Sequence, residues 1–166
     1  DMRKSGLSVM TINRRLAVVS RVLNMAYKEW DWLREPLGDK VKLYSEKGLA
    51  REVYLKPEDV DALLAAVKNP IAKRVIRLAA YTGLRRGELL SLQLSNLQKP
   101  YIVLTSETKG KKPRTVPVVK EAQSLVEPLP FGIHIEVLRS EFERARESIG
   151  RPDIRFHDLR HTFASW

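Results

Sequence analysis

The sequence predicts a mainly α-helical protein with a small antiparallel β-sheet, an α+β class, on three observations. Apolar residues recur in alternating steps of four and three from Ile12 to Leu33, and again from Ile135 to Ile149, the spacing of one helix face. Two runs near the middle, 101–105 and 114–118, are instead rich in β-branched and aromatic residues. Helix-stopping residues punctuate the chain at Asn69-Pro70, Thr82-Gly83 and Gly150 to Pro152.

Residues 11–33 read as one long amphipathic helix with Ile12, Leu16, Val19, Leu23, Ala26, Trp30 and Leu33 along its apolar stripe. Thr11 or Ser8 is placed to cap it. Arg14, Arg15, Arg21 and Lys28 fall on the opposite face as a basic ridge. Residues 36–52 lose the periodicity and gather turn formers and charge, the pattern of an interdomain linker. A second helix follows, with Pro57 in its first turn, Glu58 and Asp59 at the positive dipole end, and Val60, Leu63, Leu64 and Val67 inward. A third spans 71–81 and stops at Thr82-Gly83, and a short fourth covers 86–92. The β-rich runs flank a Lys-rich loop and form a hairpin, or the last two strands of a small sheet, with Pro117 requiring an edge or a strand end. Further helices are expected over 120–126, over 135–149 and from Phe156 to the last residue.

Composition narrows the function. The 166 residues are 43% hydrophobic, ample for a packed core. They contain no Cys, which excludes disulfides, thiolate catalysis and Cys-ligated zinc. No apolar run approaches the roughly 20 residues of a membrane span. Thirty Lys and Arg against twenty Asp and Glu leave a net charge of +10, which suits an anionic partner, nucleic acid first. The excess lies wholly within residues 1–127, because 128–166 hold six basic and six acidic groups. The start at Asp1 rather than Met suggests a piece of a longer protein.

Three segments carry chemistry. In Thr82-Gly83-Leu84-Arg85-Arg86-Gly87-Glu88, an Arg after a Gly turn can be gripped by the carboxylate three positions on, its guanidinium fork facing outward for phosphate. The hairpin loop presents Lys109, Lys111, Lys112 and Arg114, able to enter a DNA groove or to donate a proton to a leaving alkoxide. In His157-Asp158-Leu159-Arg160-His161-Thr162, His157 and Arg160 stand i, i+3 on one helix face. Such a pair can stabilise and protonate a phosphoryl transition state. His157 and His161 also have the i, i+4 spacing of a zinc-protease helix, but Asp158 stands where that motif needs Glu, and Arg160 would crowd a metal. Taken singly, each segment has an ordinary structural explanation.

Together, in this order and spacing, they resemble the tyrosine recombinases of the phage-integrase type, and the run from His157 to Ser165 is the closest match. The resemblance covers nearly the whole chain. It implies a catalytic-domain fold over 53–166, preceded by the last helix of a helical core-DNA-binding domain (1–35) and a linker (36–52). It implies that Arg85 and Arg160 clamp the phosphate, that Lys109 is the general acid to a 5′-hydroxyl, and that His157 supports proton transfer. Glu88 would orient Arg85, and His161 would stand behind the site. Arg14, Arg15, Arg21, Arg86, Lys111, Lys112 and Arg114 would grip DNA.

The reaction implied is breakage and rejoining of double-stranded DNA at attachment sites through a 3′-phosphotyrosyl link, with no metal or cofactor. A homotetramer on DNA, accessory DNA-bending proteins and a cytoplasmic, nucleoid-associated setting in a bacterial host are implied with it. The family's nucleophilic Tyr should lie beyond Arg160, yet Tyr27, Tyr44, Tyr54, Tyr81 and Tyr101 all precede it. The 166 residues are therefore expected to bind DNA without cleaving it. Two other readings remain: a recombinase-derived DNA-binding protein with a regulatory or architectural role, and a basic RNA-binding or ribosomal protein. The second explains the charge but not the ordered Arg, Lys and His boxes.

Overall fold

The computed structural model describes residues 6–49, 53–105 and 113–165. The chain divides into two compact units, Asp1–Glu52 and Val53–Trp166.

The first unit is built on helix α1, Val9–Lys28. Ser8 caps it, its hydroxyl accepting from the Thr11 N–H at 3.2 Å. The helix stops five residues short of the expected end. Asp31 turns left-handed (φ 55°), and the Trp32 N–H folds back to the Ala26 carbonyl at 2.8 Å. Trp30 and Leu33 thus continue the apolar rhythm outside the helix, with Trp30 packed on Trp32 (ring centroids 4.8 Å apart). Within 36–52, Leu37–Lys40 forms a 3₁₀ turn laid against α1. The Ser20 hydroxyl donates to the Gly38 carbonyl at 2.8 Å, and a Cβ on Gly38 would collide with the Ser20 carbonyl and the Asn24 side chain. Asn13 is buried and holds the next stretch from both sides: its Oδ1 accepts the Tyr44 N–H, and its Nδ2 donates to the Tyr44 carbonyl and to Glu46. Arg14, Arg15, Arg21 and Lys28 are exposed, as the ridge requires, but so is Val19 of the predicted stripe.

The second unit is mainly α with a three-stranded antiparallel sheet, as the sequence predicts. Helix α2, Pro57–Ala66, buries Val60, Leu63 and Leu64, and Val67 follows them inward. Asn69 then caps α3, Pro70–Thr82, its side chain accepting the Ile71 and Ala72 N–H groups. The turn between the two helices is pinned from outside. Glu141 of a later helix accepts the N–H groups of Lys68 and Asn69 on one oxygen, each at 3.0 Å.

Helix α3 is the hub. Seven of its thirteen residues are buried, and it packs against α2 and against the helices that follow. Ala72, Ala79 and Ala80 on it allow neighbouring backbones to approach closely, while each fully buried Val, Ile or Leu contributes about 1.5–3 kcal/mol of burial. Helix α4, Arg86–Leu90, is followed by strands β1 (Leu97–Gln98), β2 (Tyr101–Leu104) and β3 (Arg114–Pro117). The order is β1-β2-β3, so Pro117 sits on an edge strand. Strand β1 is not legible in the sequence: two residues, paired with Ile102 and Tyr101, are too short for a pattern.

Helices α5 (Lys120–Gln123), α6 (Ile135–Ser148) and α7 (Asp158–Ser165) complete the unit. Helix α6 turns Leu138, Phe142 and Ala145 inward, whereas Ile135, predicted inward, lies at the surface of its first turn. Helix α7 starts two residues later than predicted. The Asp158 carboxylate accepts the Arg155 N–H at 2.8 Å, and residues 155–160 form i→i+3 turns first. Thr162, fully buried, ties this helix to the start of the unit: its hydroxyl accepts the Leu55 N–H and donates to the Asp158 carbonyl, both at 2.9 Å. No helix among the described residues is long and apolar enough to cross a membrane.

Candidate active site

The site forms where α3 ends, α4 begins, β3 starts and α7 passes. Helix α3 closes on Gly83 in the left-handed region (φ 61°), a conformation that favours glycine. Space imposes the same choice, since a Cβ there would stand 2.6 Å from Cδ1 of Phe163 on α7. The close approach lets Arg160, also on α7, donate from Nη1 to the Gly83 carbonyl.

Two residues on, Arg85 opens α4. Glu88 reaches back to it, Oε2 accepting the Arg85 N–H at 2.8 Å and Oε1 accepting from the Arg85 guanidinium at 3.1 Å. The same carboxylate takes a third bond, from Arg114 Nη2 at 2.7 Å. Glu88 is only 5% exposed, so one buried carboxylate holds two guanidinium groups that are partly open to solvent.

The electrostatics follow from this arrangement. Burial pushes the Glu88 carboxyl up, but the Arg85 N–H and the Arg114 and Arg85 side chains outweigh it, and the group titrates below the ordinary carboxylate range. Arg160 moves below the ordinary guanidinium range, first through burial and then through repulsion from Arg85 and Arg114, with Glu88 offsetting part. An Arg in a protein stays protonated all the same. Two guanidinium groups thus bind one carboxylate whose charge a third, Arg160, also feels, which leaves net positive charge at the site.

Two clefts of about 380 Å³ each meet at Arg160. One is lined by Arg85, Arg86, Arg155, Phe156 and His157, the other by Gly83, Arg114, His161 and Phe163. His157 and His161 stand edge to face, ring centroids 5.2 Å apart, one in each cleft. His157 lies in the turn just ahead of α7 rather than on the helix, yet still shares the cleft with Arg160.

Of the residues singled out in the sequence, the structure brings together Arg85, Glu88, Arg114, His157, Arg160 and His161, with Arg86 beside them. Arg14, Arg15 and Arg21 belong to the first unit. Lys109, Lys111 and Lys112 lie outside the described residues. Grouping Arg114 with the loop lysines as a DNA grip misses its bond to Glu88. The sequence does hold a signal for its inward orientation, though not for its partner: Arg114 alternates with Val116 and Val118, both buried, which puts it on the inward face of β3.

The model of the phage integrase family matches residues 53–130. The integrase of Haemophilus phage HP1 is 34% identical over 161 residues, 93% of this chain and 47% of that protein. The integrase of Escherichia phage 186 is 32% identical over 174 residues, 98% of this chain and 50% of that protein. The chain therefore spans about half the length of these curated relatives. The solved catalytic domain of bacteriophage HP1 integrase superposes with a TM-score of 0.57 at 32% identity, covering 69% of this chain and 71% of that one. A λ integrase dimer bound to a COC′ core site shares the fold (TM-score 0.65, 17% identity, 89% of this chain and 50% of that one). With Arg85 and Arg114 tied together by Glu88, Arg160 standing between the two clefts that they line, and these matches on both sequence and structure, the chain belongs to the phage integrase family of tyrosine recombinases.

Proposed function

We propose that this chain is the phosphate-binding and phosphate-activating part of a site-specific DNA recombinase. The observation that carries the reading is the placement of Arg85 and Arg160 in one cleft with His157, over the buried Glu88. A phosphodiester seated there meets two guanidinium forks that are already oriented, so little reorganisation is needed as charge builds on a pentavalent phosphorane. Glu88 keeps the Arg85 fork in place, and the Gly83 carbonyl does the same for Arg160.

In the full reaction a Tyr hydroxyl gives up its proton as its oxygen bonds to phosphorus, the bond to the 5′-oxygen breaks, and that oxygen takes up a proton, so that none is gained or lost overall. A 3′-phosphotyrosyl link and a free 5′-hydroxyl result. We assign Lys109 as the proton donor and His157 as its support. No Tyr follows Arg160 in the 166 residues, so these residues bind and polarise the phosphate without cutting it. The proposed ligand is double-stranded DNA, with a homotetramer as the assembly that recombines two duplexes.

The test uses nicked duplex substrates carrying the attachment site. Incubation with the 166-residue chain should give binding and no covalent adduct; an adduct would overturn the assignment of its role. In the full-length parent protein, Arg85→Ala and Arg160→Ala should each abolish covalent trapping while retaining much of the binding. Trapping at the unaltered level in both variants would end the catalytic assignment, and a parent that binds but never traps would favour a regulatory or architectural role. Removing Arg14 and Arg15 should instead flatten the salt dependence of binding, by about 0.9 in log–log slope for each phosphate no longer neutralised.

A further inference from the structure

Beside the phosphate cleft lies a smaller one of about 140 Å³, lined by Arg86, Arg139, Phe142, Glu143, Arg146, Arg155 and Phe156. The two clefts share Arg86, Arg155 and Phe156, so they form one continuous surface from His157 to the outer face of α6. Four guanidinium groups here face a single carboxylate, and that carboxylate is engaged: Glu143 accepts from Arg139 Nε at 2.9 Å.

The other three cations are less committed. Arg146 donates from Nη1 to the Ile154 carbonyl at 2.7 Å, which fixes its guanidinium, while its buried Nε has no hydrogen-bond partner. Arg86 and Arg155 make no side-chain hydrogen bond or ion pair among the described residues. The floor is the tilted pair Phe142 and Phe156, ring centroids 5.4 Å apart, a dry wall that strengthens the field of the arginines above it. The cleft's volume of about 140 Å³ leaves room for a phosphate group among these guanidinium groups.

We propose that this cleft is a second phosphate subsite, which seats a backbone phosphate next to the one held by Arg85 and Arg160 on the same DNA strand. The proposal rests on the function argued above. Each strand carries a phosphate every ~3.4 Å of helix axis, so a strand laid across one cleft brings another phosphate to its continuation. Arg155 and Arg86 bridge the two seats, and Arg146 forms the back of the second.

Two measurements test it. The first titrates the ¹⁵N-labelled chain with inorganic phosphate and follows the arginine Nε–H resonances. Arg146 and Arg155 should shift in a saturable way. In Arg155→Gln the Arg146 shift should weaken several-fold, while that of Arg85 should persist. If Arg85 and Arg160 respond and Arg146 and Arg155 do not, the subsite is refuted and the phosphate cleft stands; if none responds, both readings fall. The second measures binding of a mixed-sequence 20-base-pair duplex against salt. Arg155→Gln, which removes no internal side-chain bond, should lower the log–log slope by about 0.9 with an unchanged melting temperature. An unchanged slope overturns the proposal.

Discussion

The Glu88 carboxylate lies 2.7 Å from the Arg114 guanidinium, joining the first turn of α4 to the first residue of β3 across 26 positions of sequence. Because the same carboxylate holds Arg85, the position of the edge strand and the aim of the Arg85 guanidinium are set by one group. Replacing it should cost stability as well as binding. Glu88→Gln leaves Arg85, Arg114 and Arg160 without their shared counter-charge. It should lower unfolding free energy by about 2–3 kcal/mol, under the ~3–5 of a fully buried pair because Arg85 and Arg114 are partly exposed. Urea denaturation at neutral pH measures this, and a loss below about 0.5 kcal/mol would contradict the arrangement.

The same bond predicts a pH signature. A carboxyl held below its ordinary range when folded contributes stability above the unfolded-state value, near 4.3 for Glu, and loses it as pH falls through the folded one. Wild-type stability should therefore fall more steeply below about pH 5 than that of Glu88→Gln, the two curves converging in acid. Glu141 and Glu143 are lowered as well, but they titrate alike in both proteins, so the difference isolates Glu88.

Gly83→Ala tests the junction of α3 and α7. The left-handed backbone alone should cost about 1–2 kcal/mol. The new methyl must also displace Phe163, and with it α7 and the Arg160 bond to the Gly83 carbonyl. Adding Phe163→Ala should recover the steric part and leave the backbone part. Thermal melts of the single and double variants separate the two, and a double variant no more stable than Gly83→Ala would contradict the clash.

Thr162→Val keeps shape and removes the hydroxyl. The Leu55 N–H loses its buried acceptor, a cost of about 1–3 kcal/mol. Thr162→Ser retains the bond and should lose only about the 0.8 kcal/mol of one methyl group. The expected order of stability is wild type, Ser, Val; Val above Ser would show that packing rather than the hydroxyl matters there.

In the first unit, Asn13→Ala should free the stretch at Tyr44 and Glu46. Three side-chain bonds go at once, at about 1 kcal/mol net each, and the Tyr44 amide should lose most of its protection from hydrogen exchange. Unchanged protection would mean that the stretch is held by something other than Asn13.

The sequence made some of these features legible and hid others, for physical reasons. Asn69, Gly83 and the inward faces of α2 and α3 are local: capping, handedness and period are written in adjacent residues. So were the Arg85–Glu88 grip and the shared cleft of His157 and Arg160, each spanning three positions. Periodicity overran the end of α1 because it counts apolar side chains, and Trp30 and Leu33 keep the rhythm after the hydrogen-bond ladder has stopped. The bonds from Glu141 to Lys68 and Asn69, from Thr162 to Leu55 and from Arg114 to Glu88 join residues 26 to 107 positions apart, and no local pattern announces which distant partner a polar group will find.

The Leu55–Thr162 bond has a topological consequence. It closes a loop of 107 positions, so that the segment at Leu55, ahead of α2, and helix α7 are neighbours. Two segments 107 positions apart must therefore meet before this bond can form, a closure whose entropy cost grows only slowly with loop length.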